Sequence, residues 1–465
     1  HTSTSVSLAC GVAKARDLKG GNYNVIAVIG DGSLSGGEAY EGLNNAAEAG
    51  TNMIIVVNDN QMSIAENHGG LYQNLKLLRE TNGKAECNFF KSMGFDYVYL
   101  NDGNDVEKLI ATFKSVKDTK HPVVVHINTL KGHGYKFAEQ DKETFHWGMP
   151  FDLATGKPKV SYDGENYSDL TAEYLLSEMK KYPEIVGITA GTPTVFGFTP
   201  ERRKKAGKQF VDVGIAEEHA VALASGIATN GGKPVFGVFS TFIQRAYDQL
   251  SQDLAINNSP AVILVFFGSL TSMNDVTHLV CNIPNIVYLA PTSKEEYFAM
   301  LNWSMRQNEH PVAIRVPVNG VIASHNPVDS DYSDLNRYQI NKKGSKVAII
   351  ALGSFYELGE KTVDVLHKKY GIDATLINPR YISGIDSEML NSLKHDHKLV
   401  ITLEDGVLDG GFGEKITRFY GNSDMKVLNF GGKKEFVDRF DIDEFIRENH
   451  LTAELIAEDV INALK

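Results

Sequence analysis

The sequence predicts an α/β protein made of three doubly wound α/β domains with mainly parallel sheets. Short runs rich in Val and Ile alternate along the chain with segments of helical spacing, which is the pattern of repeated strand–helix–strand units. The chain has 465 residues, too many for one hydrophobic core and enough for about three domains. Polar stretches at 142–164 and 327–343 predict domains at 1–150, 165–325 and 335–465, the first of them N-terminally incomplete.

The first domain holds the most informative stretch. Apolar runs at 24–30 and 53–57 predict two buried parallel strands, and helical spacing over 36–48 predicts the helix between them. Asp31 follows the first strand, and Asn58 and Asn60 follow the second. Oxygen ligands at the carboxyl ends of parallel strands favour a Mg²⁺ site that also takes phosphate. The alternative is two ordinary turns, since Asp-Gly and Asn-Asp are common turn dipeptides.

The same patterns place the remaining elements. The first domain continues with predicted helices at 89–93 and 106–116 and strands at 96–100 and 122–127. The second has predicted helices at 170–181, 217–230 and 246–255 and strands at 185–189, 209–213, 234–239, 261–265, 285–290 and 312–316. The third has strands at 346–351, 375–377, 398–403 and 426–428 and a helical end at 442–465.

Composition excludes several functional classes. The net charge of −12 argues against a nucleic-acid or anionic-membrane surface. No apolar run is long enough to span a membrane. The three cysteines, Cys10, Cys87 and Cys281, form neither a metal motif nor a disulfide framework. This usage fits a reducing compartment, so we expect a cytoplasmic protein without nucleic-acid or membrane partners.

A carboxylate opens a helix in the second domain. Glu217 follows a strand and a glycine turn, a position where the helix dipole favours an acidic residue whatever the function. The string Gly-Ile-Ala-Glu-x-His-Ala at 214–220 also resembles the segment of the transketolase-like thiamine diphosphate enzymes that holds their catalytic glutamate. In that family the glutamate hydrogen-bonds to the pyrimidine ring of the cofactor. By position Glu217 takes this role, while His219 either faces the pocket or supports the helix.

Further strings extend the resemblance over nearly the whole chain. Residues 1–5, 58–64, 131–135 and 239–249 resemble segments of the 1-deoxy-D-xylulose-5-phosphate synthase family. The resemblance implies thiamine diphosphate and Mg²⁺ as cofactors. It implies a transferase that condenses pyruvate with glyceraldehyde 3-phosphate to 1-deoxy-D-xylulose 5-phosphate and CO₂, for isoprenoid and thiamine biosynthesis. It also implies a homodimer.

The same resemblance implies the site residues. Asp31, Asn60 and the Met62 carbonyl would hold the metal, and Phe242 would stack on the aminopyrimidine, for which an aromatic face is suited. The implied catalytic residues are Glu217, His278, His146 and Arg245. The implied cofactor contacts are His1, Ser3, Asp31, Gly32, Ser33, Asn60, Met62, Lys131, Ile215, Glu217, Phe239 and Phe242.

The chain also departs from this family. Val318 and Phe267 stand where the family has arginines, the first of which anchors the acceptor phosphate, and Asn274 stands where it has an aspartate. Each charge-assisted contact to a phosphate contributes on the order of 1.5–3 kcal/mol, so the acceptor is left open. Relative to the family, residues are expected to be absent near 77–88 and after His278.

Two alternatives follow from these observations. The departures allow a transketolase-like carboligase with a different donor or acceptor. Doubly wound sheets also bind nucleotides, so a non-catalytic ligand-binding α/β protein is a second alternative. Against it, no Gly-x-Gly-x-x-Gly string follows the first predicted strand.

Overall fold

The computed structural model of the chain describes residues 2–160, 164–269, 280–435 and 441–465. The chain forms two compact units. The first comprises His1–Gly164, Thr189–Pro193 and Asp212–His219, and the second comprises Glu165–Ile188, Thr194–Val211 and Ala220–Lys465. The division into three domains at 1–150, 165–325 and 335–465 stays a prediction.

The first unit contains a parallel four-stranded sheet. Its strand order is β1-β2-β4-β3, and every neighbouring pair is parallel. The strands are β1 (Ile26–Gly30), β2 (Ile54–Asp59), β3 (Asp96–Leu100) and β4 (Val123–Asn128).

The central strand β2 is buried on both faces of this sheet. Ile55 and Val57 pack into one apolar cluster, and Ile54 and Val56 into another on the opposite face. Side chains of a strand alternate between the two faces, so an unbroken run of Ile and Val suits a strand covered on both sides. This burial brings the polar residues after β2 to the carboxyl edge of the sheet.

Helices surround the sheet of the first unit. Asp105 accepts hydrogen bonds from the N–H groups of Glu107 and Lys108, which is why one helix begins directly after it. The helix Gly70–Glu80 was not predicted; it begins at the second of two consecutive glycines and has no side-chain cap. The helices are Ser5–Leu18, Gly37–Ala49, Gly70–Glu80, Phe89–Ser92, Val106–Val116 and Lys136–Gln140.

The second unit is built on two further sheets. The six-stranded sheet has the order β6-β5-β7-β8-β10-β9, and the five-stranded sheet has the order β11-β13-β12-β14-β15. In the five-stranded sheet the pairs are parallel except that β11 runs antiparallel to β13. Their strands are β5 (Ile185–Thr189), β6 (Phe210–Asp212), β7 (Lys233–Phe239), β8 (Val262–Phe266), β9 (Val287–Leu289), β10 (Val312–Arg315), β11 (Gln339–Lys342), β12 (Lys346–Ala351), β13 (Thr375–Asn378), β14 (His397–Val407) and β15 (Lys426–Gly432).

Two sequence expectations differ from this structure. The polar stretch 327–343 contains the edge strand β11, whose short, half-exposed sequence carries little apolar signal. The helix predicted at 246–255 is irregular, because a 3-10 turn, a short α-helix and a π-helical segment succeed one another there. The other helices of this part of the chain are Tyr167–Met179, Pro200–Ala206, Glu217–Thr229, Lys294–Arg306, Tyr356–Tyr370, Ser387–Leu393, Phe412–Tyr420, Ile442–Glu448 and Ala453–Leu464.

The alternation of parallel strands and helices confirms the predicted α/β class. Within the described part of the chain, no helix combines the length and hydropathy needed to cross a bilayer.

Candidate active site

Asp31 lies at the carboxyl end of β1, where it begins the 3-10 turn Gly32–Ser35. Its side chain is 1% exposed and accepts a hydrogen bond of 2.7 Å from Asn67 Nδ2. Its backbone N–H donates to the Asn58 carbonyl over 3.0 Å. The ends of the two adjacent strands β1 and β2 are therefore joined at the predicted metal site.

The Asp31 carboxyl group has an unusual protonation equilibrium. Burial, followed by the negative charge of Asp59, raises the pKa of Asp31 to about 7. The N–H groups of Gly32 and Asn60 and the Asn67 amide oppose the rise but do not cancel it. A bound cation would favour the ionised form of such a carboxyl group. The buried carboxylate therefore fits the binding of a metal ion.

The loop after β2 is a tight polar turn. The N–H of Gln61 donates to Asp59 Oδ1 over 3.2 Å, and the N–H of Met62 donates to Asn60 Oδ1 over the same distance. Gln61 adopts the left-handed conformation, with φ +67°. The turn carries the amide oxygen of Asn60 and the carbonyl of Met62, both hard oxygen donors that suit Mg²⁺.

No group of three or more His, Cys, Asp or Glu side chains in the described ranges could hold a metal ion. The candidate site does not need one, because it combines the Asp31 carboxylate with an amide and a backbone oxygen. Such a donor set leaves positions for phosphate and water, as Mg²⁺ usually requires.

The Gly32 turn packs closely against neighbouring backbone. A Cβ atom at Gly32 would lie 2.6 Å from the Ser63 Cβ, so no side chain fits there without movement. Ser3 is buried, adopts φ +76°, and donates from Oγ to the Ser33 carbonyl over 2.8 Å. The structure thus brings together three of the predicted cofactor contacts, Ser3, Gly32 and Ser33.

Lys131 and His146 form a pair in the same unit. The Lys131 ammonium donates to the Ser63 carbonyl and lies 3.0 Å from His146 Nδ1. Burial lowers the pKa of Lys131, against the opposing effect of the Asp31 charge. Loss of hydration, then the Lys131 charge, lowers the pKa of His146. An ammonium donor at Nδ1 places the proton of neutral His146 on Nε2.

Backbone N–H groups form hydrogen bonds that hold the segment 212–219, which carries Glu217, in the first unit. Asp212 Oδ1 accepts from the N–H groups of Gly191 and Gly214, each over 2.9 Å. The Ile215 N–H donates to Ser35 Oγ over 2.8 Å. Glu217, which is 2% exposed, is the first residue of its helix. The segment that carries Glu217 is therefore attached to the turn that carries Asp31.

The aromatic candidates lie in the second unit. Phe239 ends β7, and its ring lies 5.2 Å from the Phe242 ring and 5.5 Å from the Phe267 ring, measured between centroids. The Arg245 N–H donates to the Phe242 carbonyl over 3.2 Å. Phe267 is 47% exposed and has φ +58°, which is rare for a bulky residue and typical of functional sites.

A small cavity of about 200 Å³ lies at the carboxyl ends of β8 and β10. Phe267 and Val318 both line it. Among its described lining residues no side chain is basic, and the acidic one, Glu165, pairs with Lys294 over 2.6 Å. The arginine of this stretch, Arg315, donates to the Gly268 carbonyl and to the Asp405 backbone. The remaining lining residues are Asn166, Tyr167, Ser168, Phe266, Val316, Pro317, Gly320 and Val321.

Three predicted positions lie outside the described residues: His1, His278 and Asn274. His219 is described and exposed. The predicted roles of all the site residues stay predictions.

Three residues in or beside the Asp31 turn were missed by sequence reasoning. Asn67 binds the Asp31 carboxylate, Tyr72 Oη donates to the Asp31 carbonyl over 3.2 Å, and Ser35 Oγ donates to the Gly32 carbonyl over 2.8 Å. Asn67 and Tyr72 flank the start of the unpredicted helix Gly70–Glu80. No local motif marks them, because their contacts arise only when the chain folds.

Comparisons with known proteins agree with this architecture. A family model for 1-deoxy-D-xylulose-5-phosphate synthase matches residues 1–88 and 81–129. Models for the transketolase pyrimidine binding domain and the transketolase C-terminal domain match residues 164–321 and 336–456. The two matches of the first model overlap at 81–88. This overlap lies within 77–88, where the chain is expected to lack residues that the family has.

Relatives match the chain along its whole length. The 1-deoxy-D-xylulose-5-phosphate synthase of Clostridium tetani is 37% identical over 509 residues, with 100% of this chain and 81% of the relative covered. A transketolase from Pichia stipitis, solved with sedoheptulose 7-phosphate, has a TM-score of 0.53 at 16% identity over 99% of this chain and 80% of its own. A split-gene transketolase, described as an inactive β4 tetramer, has a TM-score of 0.54 at 22% identity over 64% and 97%. These structures support a transketolase-like fold.

Proposed function

The chain belongs to the 1-deoxy-D-xylulose-5-phosphate synthase family, and we propose that it condenses pyruvate with glyceraldehyde 3-phosphate, giving 1-deoxy-D-xylulose 5-phosphate and CO₂. Thiamine diphosphate and Mg²⁺ are its cofactors. The observation that carries the proposal is the 2.8 Å hydrogen bond from Ile215 to Ser35, which attaches the buried Glu217 segment to the Asp31 turn. The glutamate expected to contact the cofactor ring and the residues expected to bind its metal then belong to one compact unit.

In the first unit, some residues would bind the metal and the phosphate groups, and Glu217 would hold a proton. Asp31, Asn60 and the Met62 carbonyl would hold Mg²⁺, and Lys131 would offset phosphate charge. Thiamine diphosphate, when bound, supplies the electron sink for the loss of CO₂ from pyruvate. Glu217 would hold a proton against the pyrimidine ring, where its burial strengthens the hydrogen bond.

His146 is suited to a substrate oxygen. Its lowered pKa keeps the imidazole neutral at neutral pH, and the Lys131 ammonium occupies Nδ1. The proton on Nε2 is then available for donation to an oxygen on which negative charge develops.

Calorimetry and a product assay test this proposal together. Thiamine diphosphate titrated into the protein with Mg²⁺ should bind, and omission of the metal should abolish binding. Pyruvate and glyceraldehyde 3-phosphate should then yield product and CO₂ in equal amounts. A folded sample that binds no thiamine diphosphate would instead favour the non-catalytic, nucleotide-binding alternative.

A second candidate function concerns the acceptor. The cavity that contains Phe267 and Val318 offers apolar surface and, among its described lining residues, no cation. A phosphate dianion would lose hydration there without gaining a charged partner, whereas an uncharged chain would not. This favours a transketolase-like carboligase whose acceptor lacks a phosphate, or whose phosphate binds elsewhere.

Paired assays separate the two candidates. Pyruvate is supplied with glyceraldehyde 3-phosphate or with unphosphorylated glyceraldehyde, and xylulose 5-phosphate with ribose 5-phosphate serves as the transketolase pair. A higher kcat/KM for the unphosphorylated aldehyde would support the second candidate. Activity with the transketolase pair alone would exclude the first.

We also propose that the protein works as a homodimer in the cytoplasm. Large apolar side chains are exposed on the first unit, as is typical of surfaces that another segment or subunit covers. They include Leu8, Val12, Ile26, Val28, Val106 and Ile110. Light scattering coupled to size-exclusion chromatography should give twice the mass of the chain.

A further inference from the structure

A polar network with a buried centre lies behind the loop after β2, the metal loop, which carries Asn60 and Met62. In the described part of the chain, the histidine of this network contacts none of the residues predicted to bind the cofactor. It consists of Asp59, His126, Arg79 and Tyr97, which we call the Asp59 network. Asp59 and His126 are each 0% exposed. Asp59 ends β2 and His126 lies on the neighbouring strand β4, opposite Val57.

The two carboxylate oxygens of Asp59 have different partners. Oδ2 lies 2.9 Å from His126 Nε2 and pairs with the Arg79 guanidinium. Oδ1 accepts the Gln61 N–H over 3.2 Å, within the loop that carries Asn60 and Met62. Oδ2 is thus bound by side chains behind the metal loop, whereas Oδ1 binds the backbone of the metal loop itself.

The proton positions in the network follow from its chemistry. The Asp59 carboxylate accepts from the Arg79 guanidinium and also contacts His126 Nε2 over 2.9 Å. Burial raises the pKa of Tyr97, whose hydroxyl lies 2.7 Å from His126 Nδ1. The neutral hydroxyl donates to Nδ1, and His126 then donates from Nε2 to Asp59.

Aromatic rings and one helix contact the network. The His126 ring packs edge-on against the rings of Phe90, Tyr97 and Tyr99. Arg79 comes from the last turn of the helix Gly70–Glu80. Tyr72, at the start of the same helix, donates to the Asp31 carbonyl, so one helix contacts both metal-binding segments.

We propose that His126 is a positioning residue, which through Asp59 and Arg79 fixes the loop Asp59–Met62 in the conformation that binds Mg²⁺. This inference rests on the proposed function, because it concerns the same metal site. His126 touches neither Asn60 nor Met62 in any described contact, and it acts only through the Asp59 carboxylate. Groups that orient metal ligands from behind typically change metal affinity by about 10–100-fold when removed.

The test compares the Mg²⁺ dependence of thiamine diphosphate binding in matched variants. His126→Leu removes both ring nitrogens, whereas His126→Gln keeps an amide that can donate to Asp59. His397→Leu is the control, because His397 is also a buried strand histidine, with Nε2 2.7 Å from Thr375 Oγ1 in another sheet. Calorimetry gives the Mg²⁺ concentration for half-saturation, and thermal unfolding of the metal-free protein gives the stability change.

His126→Leu should raise the half-saturating Mg²⁺ concentration at least about tenfold, and His126→Gln should stay within about threefold of the wild type. His397→Leu should lower the unfolding temperature without changing the Mg²⁺ dependence. A folded His126→Leu protein with wild-type Mg²⁺ dependence, or an equal effect of His397→Leu, would overturn the inference. Should His126→Leu not fold, Asp59→Asn decides, with the same tenfold criterion.

Failure of the two proposals can be told apart. If the wild-type protein binds thiamine diphosphate with Mg²⁺ but the variants bind it equally well, only the positioning role is rejected. If the wild-type protein binds none, the proposed function is rejected and the positioning role with it.

Discussion

The backbone N–H of Ile215 donates a hydrogen bond to the Ser35 hydroxyl over 2.8 Å. Ser35 in turn donates to the Gly32 carbonyl over 2.8 Å. Segments 180 residues apart in sequence are thereby joined, one leading to Glu217 and the other following Asp31. Gly214 fits only as glycine, because it adopts φ +74° and its Cβ would lie 2.9 Å from Ser35 Oγ.

Replacement of Ser35 by alanine should weaken this connection. The Ser35→Ala protein loses the acceptor for the partly buried Ile215 N–H, and the loss of a hydrogen bond of this kind costs about 0.5–1.5 kcal/mol. We expect lower stability and a kcat reduced more than the Mg²⁺ affinity. Ser115→Ala is the control, since Ser115 is an exposed serine of the same unit whose hydroxyl donates only to the Thr112 carbonyl of its own helix, over 2.7 Å. Equal kinetic constants for Ser35→Ala and the wild type would contradict the role given to this contact.

Glu217→Ala should abolish turnover while the affinity for thiamine diphosphate stays within about tenfold, because the metal site is formed by other residues. Calorimetry and single-turnover measurements distinguish the two effects. Glu218→Gln, one position away, should retain activity. Loss of folding in Glu217→Ala, seen by circular dichroism, would point instead to a structural role.

The stability of the metal-free protein should depend on pH through Asp31. Its pKa of about 7 in the folded chain exceeds its ordinary value of 3.8, so the folded state holds the proton more tightly than the unfolded state. The stabilising contribution is complete below the ordinary value and is lost as the pH rises to about 7. One pKa unit corresponds to about 1.4 kcal/mol, so the free energy of unfolding should fall by a few kcal/mol at most.

Urea unfolding in a chelator measures this effect. Between about pH 5 and about pH 8, the wild-type protein should lose stability relative to Asp31→Asn, which cannot ionise. The same substitution should weaken Mg²⁺ binding. Parallel pH profiles for the two proteins would show that Asp31 has an ordinary pKa.

Val318→Arg tests the acceptor cavity. A guanidinium in this apolar cavity should favour a phosphorylated acceptor by about tenfold or more in kcat/KM, since a charge-assisted contact contributes about 1.5–3 kcal/mol. Val318→Leu, which keeps the cavity apolar, is the matched control. An unchanged ratio between glyceraldehyde 3-phosphate and glyceraldehyde would place the acceptor elsewhere.

The sequence predicts the strands around the metal site well because they are buried on both faces. Val and Ile runs mark β2 and β4 with errors of two residues at most at either end. The helix Gly70–Glu80 is not predicted from the sequence, because its start lacks a capping side chain and because tertiary contacts stabilise it. Arg79 reaches Asp59 and Tyr72 reaches the Asp31 turn only in the folded chain.

Motifs identify the candidate site but not the network that supports it. Asp31, Asn60 and Glu217 lie in strings with a recognisable order, whereas Asn67 and His126 lie in strings that carry no such signal. Asn67 contacts Asp31, which is 36 residues away in sequence, and His126 contacts Asp59, which is 67 residues away. Long-range contacts of this kind cannot be derived from local spacing.

The most direct test of the proposed function is a product analysis by mass spectrometry. Purified protein with thiamine diphosphate and Mg²⁺ is incubated with isotopically labelled pyruvate and glyceraldehyde 3-phosphate. We expect 1-deoxy-D-xylulose 5-phosphate carrying the two pyruvate carbons that remain after CO₂ is lost, and no product from the Glu217→Ala protein. A protein that binds the cofactor and the metal yet forms no such product, while it converts xylulose 5-phosphate and ribose 5-phosphate, would contradict it.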